Sequence, residues 1–267
     1  MAPARTVDLT VSLVQRASGL DPNANRAALD VVAEAVAGRP GPHLVVLPEV
    51  FARDFGKPGS DVSSYAETLD GPFVKRLTDL AGEHDVTIVA GMFEVSEDPA
   101  RPYNTLVVVE PDGLRATYRK IHLYDSFGYR ESDRLLAGPI DPVVVDVAGV
   151  PVGLMTCYDL RFPELARALV DRGAELVVVP AAWVAGERKV EHWRTLLTAR
   201  AVENTVYVAA AAQPGPRYSG HSMVVAPSGD VLDEADESDG RVVSAGISRS
   251  LLEEVRSTNP SLVNRRM

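Results

Sequence analysis

The chain has 267 residues, 46% hydrophobic and 24% charged, the usage of a globular protein with a sizeable core, which excludes disordered and fibrous classes. Its formal net charge of −10 gives no electrostatic support to a nucleic-acid surface or an anionic membrane patch, so an anionic substrate would need a local basic pocket. The single cysteine excludes an intrachain disulfide, the five histidines have no short metal-ligand spacing, and no apolar stretch approaches the ~20 residues of a membrane helix. The start, Met1-Ala2-Pro3-Ala4-Arg5-Thr6, leads directly into a strand rather than a signal-peptide core, so the expected location is cytoplasmic.

Periodicity and punctuation predict a strand over 7–15 and a helix over 23–37, stopped by Gly38 and the prolines after it. The segment His43-Leu44-Val45-Val46-Leu47-Pro48-Glu49 reads as a buried parallel strand. Its apolar residues run without alternation and a proline ends the ladder, which leaves Glu49 at the sheet's edge. A loop rich in Gly, Asp and Ser leads to a helix over 72–84 and a strand over 86–92. A hairpin follows, with strands 105–110 and 114–120 turned at Pro111-Asp112-Gly113, and it ends on Lys120.

The second half repeats this grammar. A strand ends at Cys157, a helix covers 163–171, and Leu176-Val177-Val178-Val179-Pro180 echoes Leu44-Val45-Val46-Leu47-Pro48. A helix over 188–204, a strand over 206–212 and a hairpin over 221–232, turned at Pro227-Ser228-Gly229, complete it. The acidic run 230–240 reads as a solvated loop, and the tail 258–267 as frayed or crossing a partner subunit. No linker is evident, so one domain is expected over 1–267. Its alternating helices and strands predict two sheets of mixed pairing, covered by helices and set face to face.

Cys157 sits where an apolar run stops and a helical pattern begins, so N–H groups of the following turn can stabilise a thiolate or an oxyanion. Taken singly, Cys157 suits a small buried hydrophobe, and Glu49 and Lys120 suit solvated charges. Together they supply what thiol-mediated amide cleavage needs. Glu49 takes the thiol proton and later activates water, Lys120 faces the tetrahedral oxyanion, and Cys157 attacks the carbonyl. This chemistry requires no metal or other cofactor. Asp159 and Arg161 read as braces of the helix after the nucleophile. Two competing readings are a Cys-His hydrolase, in which His122 or His221 replaces Lys120 and Glu49 has no task, and a silent homologue serving as an interaction partner, which would lose a triad position.

Three motifs in order, Leu47-Pro48-Glu49, Tyr118-Arg119-Lys120-Ile121-His122-Leu123 and Cys157-Tyr158-Asp159-Leu160-Arg161-Phe162-Pro163-Glu164, resemble the carbon-nitrogen hydrolase family, or nitrilase superfamily, and the likeness covers nearly the whole chain. The resemblance implies a four-layer α-β-β-α sandwich with internal pseudo-duplication and an active site at one rim between the sheets. It implies protomers paired through their helical layers into a homodimer or an assembly of dimers. It also implies a second glutamate that orients the lysine, here Glu131 within Tyr129-Arg130-Glu131-Ser132.

Nitrile-cleaving members typically follow the cysteine with Trp-Glu-Asn, whereas this chain has Tyr158-Asp159-Leu160. The string is most similar to amidases of the deaminated-glutathione amidase and ω-amidase branch, which hydrolyse the terminal amide of short carboxylate-bearing molecules and release ammonia. N-carbamoyl amino acids, aliphatic amides and nitriles are the alternative substrates. Tyr158 and Trp183 are candidate pocket walls, the Tyr158 N–H a second oxyanion donor, and Arg130 or Arg217 a holder of the substrate carboxylate.

Overall fold

Apolar runs without alternation become the central strands of two six-stranded sheets in the computed structural model, which describes residues 6–126 and 128–266. Residues 1–5, read above as leading directly into the first strand, and Met267 of the tail lie outside the described residues. The first half holds β1 (Leu9–Gln15), α1 (Pro22–Ala28), α2 (Val31–Val36), β2 (His43–Val46), α3 (Pro72–His84), β3 (Thr87–Glu94), β4 (Tyr103–Glu110) and β5 (Gly113–Arg119). A small ribbon of β6 (Asp125–Ser126) and β7 (Tyr129–Arg130) follows. Next come β8 (Val144–Val147), β9 (Val150–Leu154), α4 (Pro163–Asp171), β10 (Leu176–Val178), α5 (Lys189–Asn204) and β11 (Tyr207–Ala210). The chain closes with β12 (Met223–Val225), β13 (Val231–Glu234), β14 (Arg241–Ile247) and α6 (Arg249–Thr258).

The duplication is visible in the pairing. From β1 to β5 successive strands pair parallel, parallel, antiparallel, antiparallel. From β9 to β13 the same series recurs. Each sheet then gains one antiparallel edge strand, β14 beside β1 and β8 beside β9.

In the first sheet Val11, Leu13, Leu44, Val46, Val89 and Leu106 share one cluster with the second sheet's residues, while Val45, Leu47, Ile88 and Val107 pack with α2 and α3. Period-two alternation thus feeds two apolar layers at once, which is why these strands carry no polar face. Helices α4 and α5 cover the second sheet. The architecture is the mixed α/β sandwich anticipated from the motifs.

Some local expectations change. The single helix expected over 23–37 is two, because Leu29 N–H donates to Arg26 O and Asp30 N–H to Ala27 O. These tight i→i−3 bonds break the α-helical run before Val31. Part of the acidic run is edge strand β13, most of it solvent-facing, and the loop after it holds Gln15, whose Nε2 donates to Asp236 O and Ser238 O. Edge strands β8 and β14 and helix α6 were not read from the sequence. The tail folds back so that Arg265 pairs with Asp171 of α4 at 2.6 Å.

One buried polar residue sets an acid limit on stability. His43 opens β2 with Nε2 2.8 Å from Ser12 Oγ, and its Nδ1 is buried without a partner among the described residues. Burial, and then the nearby Arg39 charge, pull its pKa down to about 4. The unfolded chain therefore binds a proton that the folded chain refuses between about pH 6.5 and 4, and stability falls as pH falls through that window. His43→Gln should remove on the order of 2–3 kcal/mol of this acid loss. Urea unfolding of both proteins at pH 7.5 and pH 4.5 checks it, and equal losses would reassign the acid sensitivity.

Candidate active site

The four candidate catalytic residues come from four different chain segments, and each is locally forced into place. After β2 the ladder continues for one residue, Leu47 N–H donating to Val89 O at 2.8 Å, before Pro48 ends it. Val50 then takes a φ of 49°, which turns the chain at Glu49. Gly91 permits this approach, since a Cβ there would stand 2.3 Å from Val50 N and 2.9 Å from Glu49 Cα. Lys120 follows β5, its N–H bonded to Asn104 O at 2.8 Å. Gly138 closes over it, so near that a Cβ would meet Arg119 O at 2.3 Å.

Cys157 opens a 3-10 turn over Cys157–Arg161, beyond β9. Its φ is 45°, a left-handed conformation costing roughly 1–3 kcal/mol for a residue with a side chain. The strain is held by a local cap, in which Asp159 Oδ2 accepts the Thr156 N–H at 2.9 Å and the Asp159 N–H donates to Thr156 O at 2.9 Å. The Cys157 N–H itself donates to Pro180 O at 3.0 Å.

Asp159 does more than brace one turn. Fully buried, it also accepts from Tyr118 Oη at 2.6 Å and from the His122 N–H at 3.1 Å, and His122 Nδ1 lies 2.7 Å away. One carboxylate thus ties the residues on either side of Lys120 to the residue before Cys157. His122 is further fixed by stacking on Phe162, ring centroids 3.8 Å apart. His221 sits instead with Glu234 and Arg194. Neither histidine lines the active-site cavity, so the Cys-His alternative has no geometric support.

At the centre, Lys120 Nζ donates to Glu49 Oε1 at 3.0 Å and to Glu131 Oε1 and Oε2 at 3.1 and 2.9 Å. Asn104, not singled out in the sequence, donates to Glu49 Oε1 at 2.8 Å and reaches Glu131 Oε1 at 3.5 Å. Glu131 also accepts the Tyr124 N–H at 2.6 Å, and Glu49 Oε2 the Ala182 N–H at 2.7 Å. Glu49, Lys120 and Glu131 are each no more than 2% exposed.

Burial alone would strip the Lys120 charge, yet Glu131 and Glu49 outweigh it and hold the ammonium well above the ordinary lysine range. Burial raises the Glu131 carboxyl, with Lys120 opposing. Burial first, and then the Glu49 carboxylate, push the Cys157 thiol well above its ordinary value, with Lys120 opposing. That direction favours a thiol at rest, beside a carboxylate that can take its proton, over a thiolate stabilised by the turn.

These residues line a cavity of about 260 Å³ that Tyr158 and Trp183 also wall. The two candidate carboxylate holders fare differently. Arg130 lies outside this cavity, its side chain 68% exposed and 3.6 Å from Asp133. Arg217 lines the cavity, but its guanidinium is engaged by Asp54 at 2.5 Å and by Gly56 O, so it holds the preceding loop in place. The sequence reading missed three other cavity cations, Lys57, Arg161 and Lys189. Arg161 was visible in the cysteine motif and was read as a brace. Its Nε and Nη2 are buried without a partner among the described residues, and its Cζ lies 5.0 Å from the Trp183 ring centroid. No group of three or more His, Cys, Asp or Glu suited to a metal occurs among the described residues.

Comparison with known proteins agrees with this geometry. The family model described as carbon-nitrogen hydrolase matches residues 10–257. A deaminated glutathione amidase of Escherichia coli O157:H7 is 41% identical over 224 residues, 84% of either chain. A 2-oxoglutaramate amidase of Paenarthrobacter nicotinovorans is 35% identical over 251 residues, 88% of this chain and 82% of that one. Among solved structures, Saccharomyces cerevisiae Nit3, described as a member of branch 10 of the nitrilase superfamily, superposes with a TM-score of 0.86 at 29% identity, covering 99% of this chain and 100% of that one. On the match over most of its length, and with this fold, the chain belongs to the carbon-nitrogen hydrolase family.

Proposed function

We propose that the protein hydrolyses the terminal amide of a small carboxylate-bearing molecule, releasing ammonia through a thioester on Cys157. The observation that carries this reading is Cys157 in a cavity with one buried lysine held between two carboxylates. As Sγ attacks the carbonyl carbon, Glu49 takes the thiol proton, and the new oxyanion faces Lys120 and the Tyr158 N–H at the start of the turn. Collapse breaks the C–N bond, and the proton on Glu49 passes to the leaving nitrogen. A water then attacks the thioester, giving a proton to Glu49, and the C–S bond breaks to regenerate the thiol. Glu131 holds Lys120 in line throughout.

The carboxylate on the substrate is supported by Arg161, whose buried Nε and Nη2 have no partner among the described residues, in a chain whose net charge is −10. The names of the deaminated glutathione and 2-oxoglutaramate amidases point to the same substrate class. We place the protein in the cytoplasm, where a single working thiol stays reduced, and propose that it acts as one catalytic domain over 1–267 in a homodimer or assembly of dimers. No helix among the described residues is long and apolar enough to cross a membrane.

Ammonia release should be fastest on dicarboxylate monoamides or deaminated glutathione, and slower on N-carbamoyl amino acids and nitriles. A higher kcat/KM on either of the last two would overturn the substrate assignment. Cys157→Ala should abolish turnover in a folded protein, and the stalled wild type should carry an acyl mass on the Cys157 peptide. Lys120→Arg exchanges a compact ammonium for a planar fork and should slow acylation by at least ~100-fold. Glu131→Gln should lower kcat far more than it raises KM in single-turnover and steady-state kinetics. An unchanged acylation rate would reduce the site to Glu49, Lys120 and Cys157.

A further inference from the structure

The solvent side of the cavity has two rims, one from each half of the chain, and a single buried carboxylate joins them. Phe55, Lys57 and Pro58 lie on the loop after Glu49, and Arg217 and Tyr218 on the loop between β11 and β12. Asp54 stands between the two, buried. Its Oδ1 accepts the Gly56 N–H at 2.8 Å and Arg217 Nη1 at 2.5 Å, and its Oδ2 accepts Tyr218 Oη at 2.5 Å. Arg217 Nη2 donates to Gly56 O, so one guanidinium spans both ends of the Asp54–Gly56 turn. Gly56 permits that turn with a φ of 75°.

Each side of this junction is anchored in its own half. The Asp54 N–H donates to Gly19 O at 2.9 Å and Arg53 Nη1 to Asp54 O at 2.7 Å, while Arg53 Cζ sits 4.2 Å from the Tyr65 ring centroid. Across the cavity, the Ala185 N–H donates to Arg217 O at 3.0 Å and the Ser219 N–H to Trp183 O at 2.8 Å, which ties the Arg217 loop to the Trp183 wall. Burial first, and then the Asp54 carboxylate, hold the Tyr218 phenol well above its ordinary range, so it remains a donor to Asp54. The base has a separate tie to the same loop, Gln213 Nε2 donating to Glu49 O at 3.1 Å. Loops run over the surface with few ladder bonds, whereas a charge-assisted tie to a guanidinium is strong and fixed in direction. Asp54 therefore holds the outer part of the cavity without holding the base.

We propose that Asp54 is a positioning residue that fixes the separation of the two rims and so sets the size of the group admitted to Cys157; where it concerns the substrate, this rests on the amidase reading above. Asp54 touches no reacting atom. It acts through Arg217 and Tyr218 on one rim, and through the Gly56 turn, which carries Phe55 and Lys57, on the other.

The test alkylates the one cysteine of the chain with iodoacetamide and with its bulkier N-phenyl derivative, iodoacetanilide, on wild type, Asp54→Ala and Asp54→Asn. Asp54→Ala should raise the iodoacetanilide-to-iodoacetamide rate ratio at least about tenfold, while the iodoacetamide rate itself changes little. Asp54→Asn, which keeps the shape and removes the charge that Arg217 faces, should give a smaller rise. In turnover, Asp54→Ala should raise kcat/KM for adipamic acid relative to succinamic acid at least about fivefold, chiefly through KM. A reagent ratio that stays at the wild-type value would overturn the proposal, and so would a rise in both alkylation rates together, which marks loosening of the whole fold. Should Asp54→Ala not fold, the same ratios on Asp54→Asn decide. A reagent ratio that moves while the substrate ratio does not would overturn the selection of substrate by size. A wild type that turns over neither acid would overturn the amidase reading and leave the alkylation arm to decide the rims.

Discussion

The ammonium of Lys120, buried between the carboxylates of Glu49 and Glu131, is the interaction on which the rest of the site depends. Bringing three charges out of water costs several kcal/mol per ion, so the cluster exists only because donors around it complete its hydrogen bonds. Asn104, the Ala182 N–H and the Tyr124 N–H do so. Two negative charges against one positive leave an excess of negative charge beside Cys157, and that excess helps to keep the sulfur protonated. In the proposed mechanism the site stores a base rather than a reactive thiolate, and the nucleophile forms as a carbonyl arrives to receive it.

The duplicated fold explains how such a cluster is assembled. Glu49 and Lys120 leave the first sheet, Cys157 leaves the second, and all three meet at one rim. The two halves are then joined through the reacting groups themselves. Glu49 is held by the Ala182 N–H and, through its carbonyl, by Gln213 Nε2 at 3.1 Å, both from the second half. Asp159 of the second half fastens the chain on either side of Lys120. The separation between lysine and sulfur is therefore set by backbone and buried side chains rather than by a flexible loop, as preorganised electrostatic catalysis requires.

The central strands were legible because burial on both faces leaves continuous apolar runs, as in Leu44-Val45-Val46-Leu47, and the site was legible because Glu49 and Cys157 each stand just past such a run and Lys120 just past the second strand of a hairpin. Edge strands β8 and β14 were not. In β14, Arg241-Val242-Val243-Ser244-Ala245-Gly246-Ile247 mixes exposed and buried residues and is defined by pairing with β1, more than two hundred residues away in sequence. Strand β13 was read only as far as 232, as the second arm of a hairpin, because the acids that follow suit a solvent-facing edge as well as a loop. Arg161 lay in plain view within the cysteine motif, yet the sequence carries no sign that two of its guanidinium nitrogens end without acceptors among the described residues. Arg217 showed the reverse, because its partner Asp54 is 163 residues distant. Charged side chains reveal their type in a sequence, whereas their partners are a property of the fold.

The most direct test of a stored base rather than a stored thiolate is Glu49→Gln, followed by two rates on the one cysteine of the chain: alkylation by iodoacetamide across pH, and turnover of an amide. The account predicts that the wild-type thiol titrates above the ordinary cysteine range. Removing the Glu49 charge should bring that titration down and quicken alkylation at pH 8, while turnover falls by at least ~100-fold because an amide cannot accept the proton. Full-rate alkylation of the wild type already at neutral pH, with Glu49→Gln slowing alkylation and turnover together, would show that Cys157 rests as a thiolate and would contradict the account.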